Sequence, residues 1–141
     1  MDALAEELRG AAEFRSALQR FQKRTDEITR EAGLTVPRYQ LLLMIKASPN
    51  EESTVTQLSR RLHLGDSTAV ELVSRAAVLG LVERHRSSTD RRVVLVRLTE
   101  EGNRRLLRAF EALRAERASL AKTFREVERA FRGVARARSE A

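Results

Sequence analysis

Between Gln57 and Thr99 the spacing of apolar residues changes twice, and that succession narrows the fold more than any other feature. "QLSRRLH" places Leu58 and Leu62 four apart, on one side of a short helix that Thr56 is placed to cap. "LGD" makes a tight turn. A second helix follows, capped by Asp66 or Ser67, with Ala69, Leu72, Val73, Ala76 and Leu79 as its buried face and Gly80 as its stop. Two helices joined by a short glycine-containing turn form a helix-turn-helix. The period then changes to two. "LVERHRS" and "VVLVRLT" read as the strands of a hairpin, with Val94, Val96 and Leu98 on one face and Val93, Leu95 and Arg97 on the other. Thr99 caps a further helix, whose first turn holds Glu100 and Glu101 where the helix dipole favours negative charge.

Helices flank this middle. Leu4, Leu8, Ala11, Leu18, Phe21, Thr25, Ile28 and Ala32 form one helical stripe, interrupted at Arg15 and stopped by Gly33. Thr35 and Pro37 then start a helix that runs to about Ala47, and "SPNEES" is a loop. At the other end Leu106, Phe110, Leu113, Leu120, Phe124, Val127, Phe131 and Val134 form a second stripe, with Arg117 in a stripe position. Forty helical residues would reach about 60 Å, so that helix is expected to break near residues 117–121 or to extend onto another chain. Two apolar stripes at the chain ends are best accommodated by helices interlocking across a homodimer; packing within one domain is the alternative. The expected fold class is mainly α with a small β-hairpin wing: a winged helix-turn-helix with N- and C-terminal dimerisation helices. The expected parts of this one structural domain are 1–33 and 103–141 as dimerisation helices and 34–102 as the DNA-binding region.

Charge points to a polyanion. The formal net charge is +7 over 141 residues, and arginine, whose planar fork matches phosphate, supplies most of the cations. The excess is uneven: six basic against seven acidic side chains over 1–33, ten against eight over 34–102, and eleven against five over 103–141. Cysteine is absent, which rules out disulfides, thiolate metal sites and a thiol redox switch. The first residues are acidic and amphipathic, unlike a secretory signal, and no apolar run is long enough to span a membrane, so a cytoplasmic location is expected. His63 and His85 lack metal-ligand neighbours, and neither a nucleophile elbow nor a phosphate-binding glycine loop is present. No enzyme activity, metal or cofactor is expected.

In a winged helix the second helix of the pair can enter the major groove, while the hairpin follows the backbone toward the minor groove. Arginine gains most in a narrow minor groove, where negative potential is concentrated. Arg91 and Arg92 stand near the hairpin tip, Arg86 flanks them, and Arg84 and Arg97 add charge. Asp90 would be repelled by phosphate, so its expected task is to organise the wing by holding Arg91, Arg92 or an arginine of the preceding helix. An internal wing salt bridge without any DNA contact is the alternative reading.

"LTVPRYQLLLMI" and "TVTQLSRRLHLGDSTAVELVSRAAVLGLVERHRSSTDRRVVLVRLTEEG", with the flanking helices, resemble the MarR family of transcriptional regulators. The most specific stretch is Asp90-Arg91-Arg92 followed by Leu98-Thr99 and Gly102, and Gly80-Leu81-Val82 also fits. The resemblance implies a homodimer on a pseudo-palindromic double-stranded operator, usually as a repressor, released by a small aromatic or acidic effector. It assigns DNA contacts to Ser67, Thr68, Val70, Glu71, Ser74 and Arg75, with Thr56 and Gln57 contacting the backbone. It brings Phe14, Arg15, Phe21 and Tyr39 toward an effector cleft, and without cysteine the chain is not one of the family's thiol-oxidised sensors. The sequence departs from the pattern at Val70 and Glu71, where relatives commonly carry a small polar and a basic residue, and at Ala77, Val78 and Leu79. The apolar strip of Val70, Ala77 and Val78 suits thymine methyls or another protein. The alternative function is therefore a winged-helix protein-interaction module with weak or lost specific DNA binding.

Overall fold

The computed structural model describes residues 2–141, the Val134 side chain excepted, so that position of the C-terminal stripe lies outside the described residues. Its elements are α1 (Ala3–Glu31), α2 (Val36–Lys46), β1 (Glu52–Ser53), α3 (Val55–Leu62), α4 (Asp66–Val78), β2 (Val82–Arg86), β3 (Val94–Leu98), α5 (Glu100–Ala112) and α6 (Arg114–Glu140). They form two compact units: Met1–Glu27 with Ala112–Ala141, and Ile28–Glu111. No helix among the described residues is long and apolar enough to cross a membrane.

The first unit packs α1 on α6. Phe14 stacks on Phe124 with ring centroids 4.9 Å apart, and Arg24 reaches Glu116 at 3.1 Å. The backbone at Gly10 lies close to Phe131: a β-carbon there would stand 3.2 Å from the ring. Ala17 and Val127 are buried, whereas Leu4 and Leu8 are 58% and 62% exposed. The C-terminal stripe breaks at Leu113, four residues before the expected stretch. Leu113 is buried and has φ −91°, ψ 4°, which ends the α5 ladder. The Arg117 N–H then bonds the Leu113 carbonyl at 2.9 Å within the new helix. Arg117 was a poor marker because an arginine in an apolar stripe can reach solvent along its alkyl stem without disturbing the backbone.

In the second unit, Leu41, Leu42, Ile45, Leu58, Val73, Leu81, Val96 and Leu106 form the core. Thr35 caps α2, its hydroxyl accepting the Arg38 N–H at 3.4 Å. Two other caps differ from expectation. Thr54, not Thr56, caps α3: its hydroxyl accepts the Gln57 N–H at 3.2 Å while Gln57 Oε1 accepts the Thr54 N–H at 3.0 Å. This reciprocal pairing needs a glutamine three residues after the cap, which Thr54 has and Thr56 lacks. Gly65, not Asp66 or Ser67, precedes α4. Asp66 is already helical, and its carboxylate lies 2.9 Å from the Ser59 hydroxyl of α3, bracing the turn between the helices.

The expected hairpin is the larger part of a three-stranded antiparallel sheet of order β1-β3-β2. β2 and β3 pair from Val82 opposite Leu98 to Arg86 opposite Val94. The segment read as a loop contributes β1, pairing Glu52 with Arg97 and Ser53 with Val96. A two-residue strand has no period to read; it exists because β3 offers an edge. On the face of β3 that Val94 and Val96 share, Val96 is buried and Val94 is 38% exposed. Leu79 differs from expectation: it is 49% exposed, standing at the end of α4 as its C-cap.

Thr99 and Gly102 fasten the wing to the helices. The Thr99 hydroxyl donates to the Gly80 carbonyl at 2.6 Å and accepts the Gly102 N–H at 3.0 Å, while its backbone N–H bonds the Leu81 carbonyl at 3.0 Å. A β-carbon at Gly102 would lie 2.0 Å from that same carbonyl oxygen, so no other residue allows α5 to start this close to Leu81.

Candidate nucleic-acid interface

α4 buries Ala69, Val73 and Ala76 and leaves Ser67, Thr68, Val70, Glu71 and Arg75 exposed, with Ser74 half-buried. Its exposed face carries one acid–base pair: Arg75 Nη2 lies 2.9 Å from Glu71 Oε1, one turn apart. Such an exposed pair is worth roughly 0.3–0.5 kcal/mol, weak enough to open for a better partner. Val70 is 52% exposed and Val78 88%. On α3, Thr56 is exposed, but Gln57 Oε1 is engaged by Thr54 and Ser53, so this oxygen serves the helix start.

The wing loop between β2 and β3 is tightly braced. Ser87 N–H bonds the Val93 carbonyl at 2.9 Å, and Val93 N–H bonds the Asp90 carbonyl at 3.0 Å. The Ser87 hydroxyl accepts from the N–H groups of Thr89 and Asp90 at 3.3 and 3.4 Å. Asp90 holds Arg92 rather than Arg91. Its Oδ1 accepts the Arg92 Nε–H at 3.2 Å and the Arg92 backbone N–H at 3.1 Å, and its Oδ2 accepts from Nη2 at 3.4 Å. These hydrogen bonds, side-chain first and backbone second, hold the Asp90 carboxyl below the usual carboxylate range. Arg86 donates from Nη1 to the Arg91 carbonyl at 2.7 Å, which ties the end of β2 to the loop. Among the described residues the Arg91 side chain has no partner, and it is exposed. Arg92 is bound to Asp90, yet its side chain stays 91% exposed.

Sequence reasoning missed a cross-strand cluster at the wing base. Glu52 of β1, His85 of β2 and Arg97 of β3 meet there: His85 Nε2 lies 2.9 Å from Glu52 Oε2 and 3.1 Å from Arg97 Nη2. The signal was out of reach because it required knowing that β1 exists. The residues expected at an effector cleft fall in different units: Phe14, Arg15 and Phe21 in the first and Tyr39 in the second. Tyr39 is 5% exposed, and Phe21 lines an open groove of about 330 Å³ with Arg20, Arg24 and Leu120.

A helix pair whose second helix keeps an open polar face, followed by an arginine-tipped ribbon rooted in a small sheet, makes this a winged-helix protein. Comparison with known proteins narrows the class. Residues 32–93 match the sequence model of the MarR family. The chain is 36% identical over 70 residues to the organic hydroperoxide resistance transcriptional regulator of Bacillus subtilis (strain 168), covering 50% of this chain and 46% of that protein. It is 30% identical over 95 residues to the HTH-type transcriptional repressor IacR of Pseudomonas putida, covering 67% and 56%. The chain thus spans about half the length of these curated relatives. In fold it is similar to a mutant MarR from E. coli complexed with operator DNA, with a TM-score of 0.69, 19% identity, and coverage of 95% and 99%. The helix pair and most of the wing, residues 32–93, thus carry the MarR family's sequence pattern.

Proposed function

We propose that the protein is a homodimeric, sequence-specific DNA-binding regulator of transcription, acting as a repressor. The observation that carries this reading is the division of labour in the second unit. The open face of α4 offers Ser67, Thr68, Glu71, Ser74 and Arg75 for a major groove, while a braced loop holds out Arg91 and Arg92 for the backbone and minor groove. Residues 34–102 form the DNA-binding region, and 1–33 and 103–141 are the dimerising arms. The exposed Leu4, Leu8, Phe124 and Phe131 support a partner on those arms. Repression is supported by the name of the Pseudomonas relative. Release by a small aromatic or acidic molecule completes the reading, on family resemblance alone; with no cysteine in the chain, thiol oxidation is not the signal.

On α4, the Glu71–Arg75 pair presents an acceptor beside a donor. A G·C edge offers guanine O6 and N7 as acceptors and cytosine N4 as a donor, so Arg75 suits the guanine and Glu71 the cytosine of one base pair. Val70 suits a neighbouring thymine methyl. The test is binding of the purified protein to duplexes containing the region upstream of its own coding sequence, titrated with salt. Affinity should fall steeply, with a log–log slope near −0.9 per phosphate neutralised. A weak, salt-independent interaction would reject the proposal.

A second reading has one observation in its favour. Val70, Val78 and Leu79 form more exposed apolar surface than a DNA-reading helix requires, as a protein-interaction module would. Glu71→Arg separates the two. If general DNA affinity arises only after that substitution, the native helix binds protein.

A further inference from the structure

We infer that the outer face of α6 is a second, sequence-independent binding surface for the phosphate backbone of duplex DNA. Arg125, Arg129, Arg132 and Arg136 follow one another at steps of four, three and four residues. With 3.6 residues per turn, those steps keep all four within roughly 60° of one another around the helix, over about 16.5 Å of its length. All four are exposed. The opposite side of α6 holds buried Val127 and the Phe124 ring stacked on Phe14, so within its unit the helix turns its apolar side inward and its arginines outward.

Acidic neighbours do not neutralise this line. Glu128 flanks it and pairs with Arg132 at 2.6 Å. Among the described residues, the side chains of Arg125, Arg129 and Arg136 make no ion pair. Arg125, Glu128, Arg129 and Arg132 line a shallow groove of about 270 Å³. Like charges spaced four apart on a helix repel, a cost that a polyanion along the stripe removes. A duplex is a rod with one phosphate charge per about 1.7 Å of axis, and a straight stripe of phosphate-matching forks fits a rod. A lipid surface would call for large apolar side chains beside the cations, and the sequence puts none on this face. The stripe is on α6, in a different unit from α4 and the wing, so the winged helix can fail to bind DNA and the stripe still bind it.

The test replaces all four arginines by glutamine in the full chain, which keeps helix propensity close to that of arginine. Binding to a long duplex lacking any operator is measured against salt, with the native wing and again with Arg91 and Arg92 changed to alanine. The slope should become shallower by about 2.7 to 3.6, for three or four phosphates released, in both backgrounds. An all-lysine version of the stripe should restore most of it, and footprints on specific sites should not move. A slope change below about one unit overturns the inference. So does a glutamine variant that loses binding to phosphatidylserine vesicles while keeping duplex binding. If the fourfold variant does not fold, Arg129→Glu alone should make the slope shallower by at least about one unit, and an unchanged slope overturns the inference equally.

Discussion

The wing and helix α4 use their charges in opposite ways. The wing concentrates cations: Arg84, Arg86, Arg91, Arg92 and Arg97 against Glu83 and Asp90. Its one loop carboxylate is used to set an arginine rather than to cancel it, since Arg92 keeps 91% of its side chain exposed while bonded to Asp90. α4 carries a single arginine, and that one is tied to Glu71. A surface of the first kind positions a protein on any phosphate backbone. A surface of the second kind gains little from phosphate and must discriminate through base edges. On the proposed reading, affinity and specificity fall to separate elements, which substitutions can tell apart.

The largest effect is expected from detaching the wing. Gly102→Ala drives a methyl into the Leu81 carbonyl and should cost about 3 kcal/mol or more of stability, read as a lowered midpoint in urea unfolding. Next, Arg91→Ala with Arg92→Ala should make the salt slope shallower by about 1.8, for two phosphates, with base preference unchanged. Glu71→Gln should do the reverse. The slope should hold while the selected sequence shifts from G·C toward A·T at one position in each half-site, because an amide pairs with adenine N6 and N7. Selection from a randomised duplex pool reads this, and an unchanged sequence would remove Glu71 from base reading.

The smallest effect is in pH. Asp90 is held below the usual carboxylate range. Glu101 is pulled from 4.5 to about 2 by hydrogen bonds from Arg104 and then Arg105. Both carboxyls are depressed on folding. Their contribution is therefore complete above the ordinary carboxylate value and is lost only as pH falls through the folded one, for Glu101 between 4.5 and about 2. The difference in wing order between the native protein and an Asp90→Asn variant, followed by amide hydrogen exchange corrected for intrinsic rate, should be flat from about pH 5 to 8.

Much of the fold was legible because it rests on local rules. Gly33 and Gly80 adopt φ of +76° and +74° at the helix ends where glycine was read as a stop, and Thr35 and Thr99 cap the helices that their neighbours announce. The Thr54 capping box stands in the sequence as Thr-x-x-Gln, a stronger cap signal than Thr56 two residues later. Other features depend on tertiary partners. β1 forms against β3, the choice of Arg92 over Arg91 is made by the backbone geometry of the loop, and the Glu52–His85–Arg97 cluster needs all three strands in place. For the site, residue type and exposure could be read from helical spacing. That the Arg86 side chain is tied to the Arg91 carbonyl could not.

The most direct measurement is hydroxyl-radical footprinting of the full-length protein on a duplex chosen by selection. Two symmetric protected patches with centres about 34–36 Å apart are expected, joined by minor-groove protection that disappears when Arg91 and Arg92 are alanine. A single unpaired patch, or a footprint unaffected by the wing substitutions, would contradict this expectation.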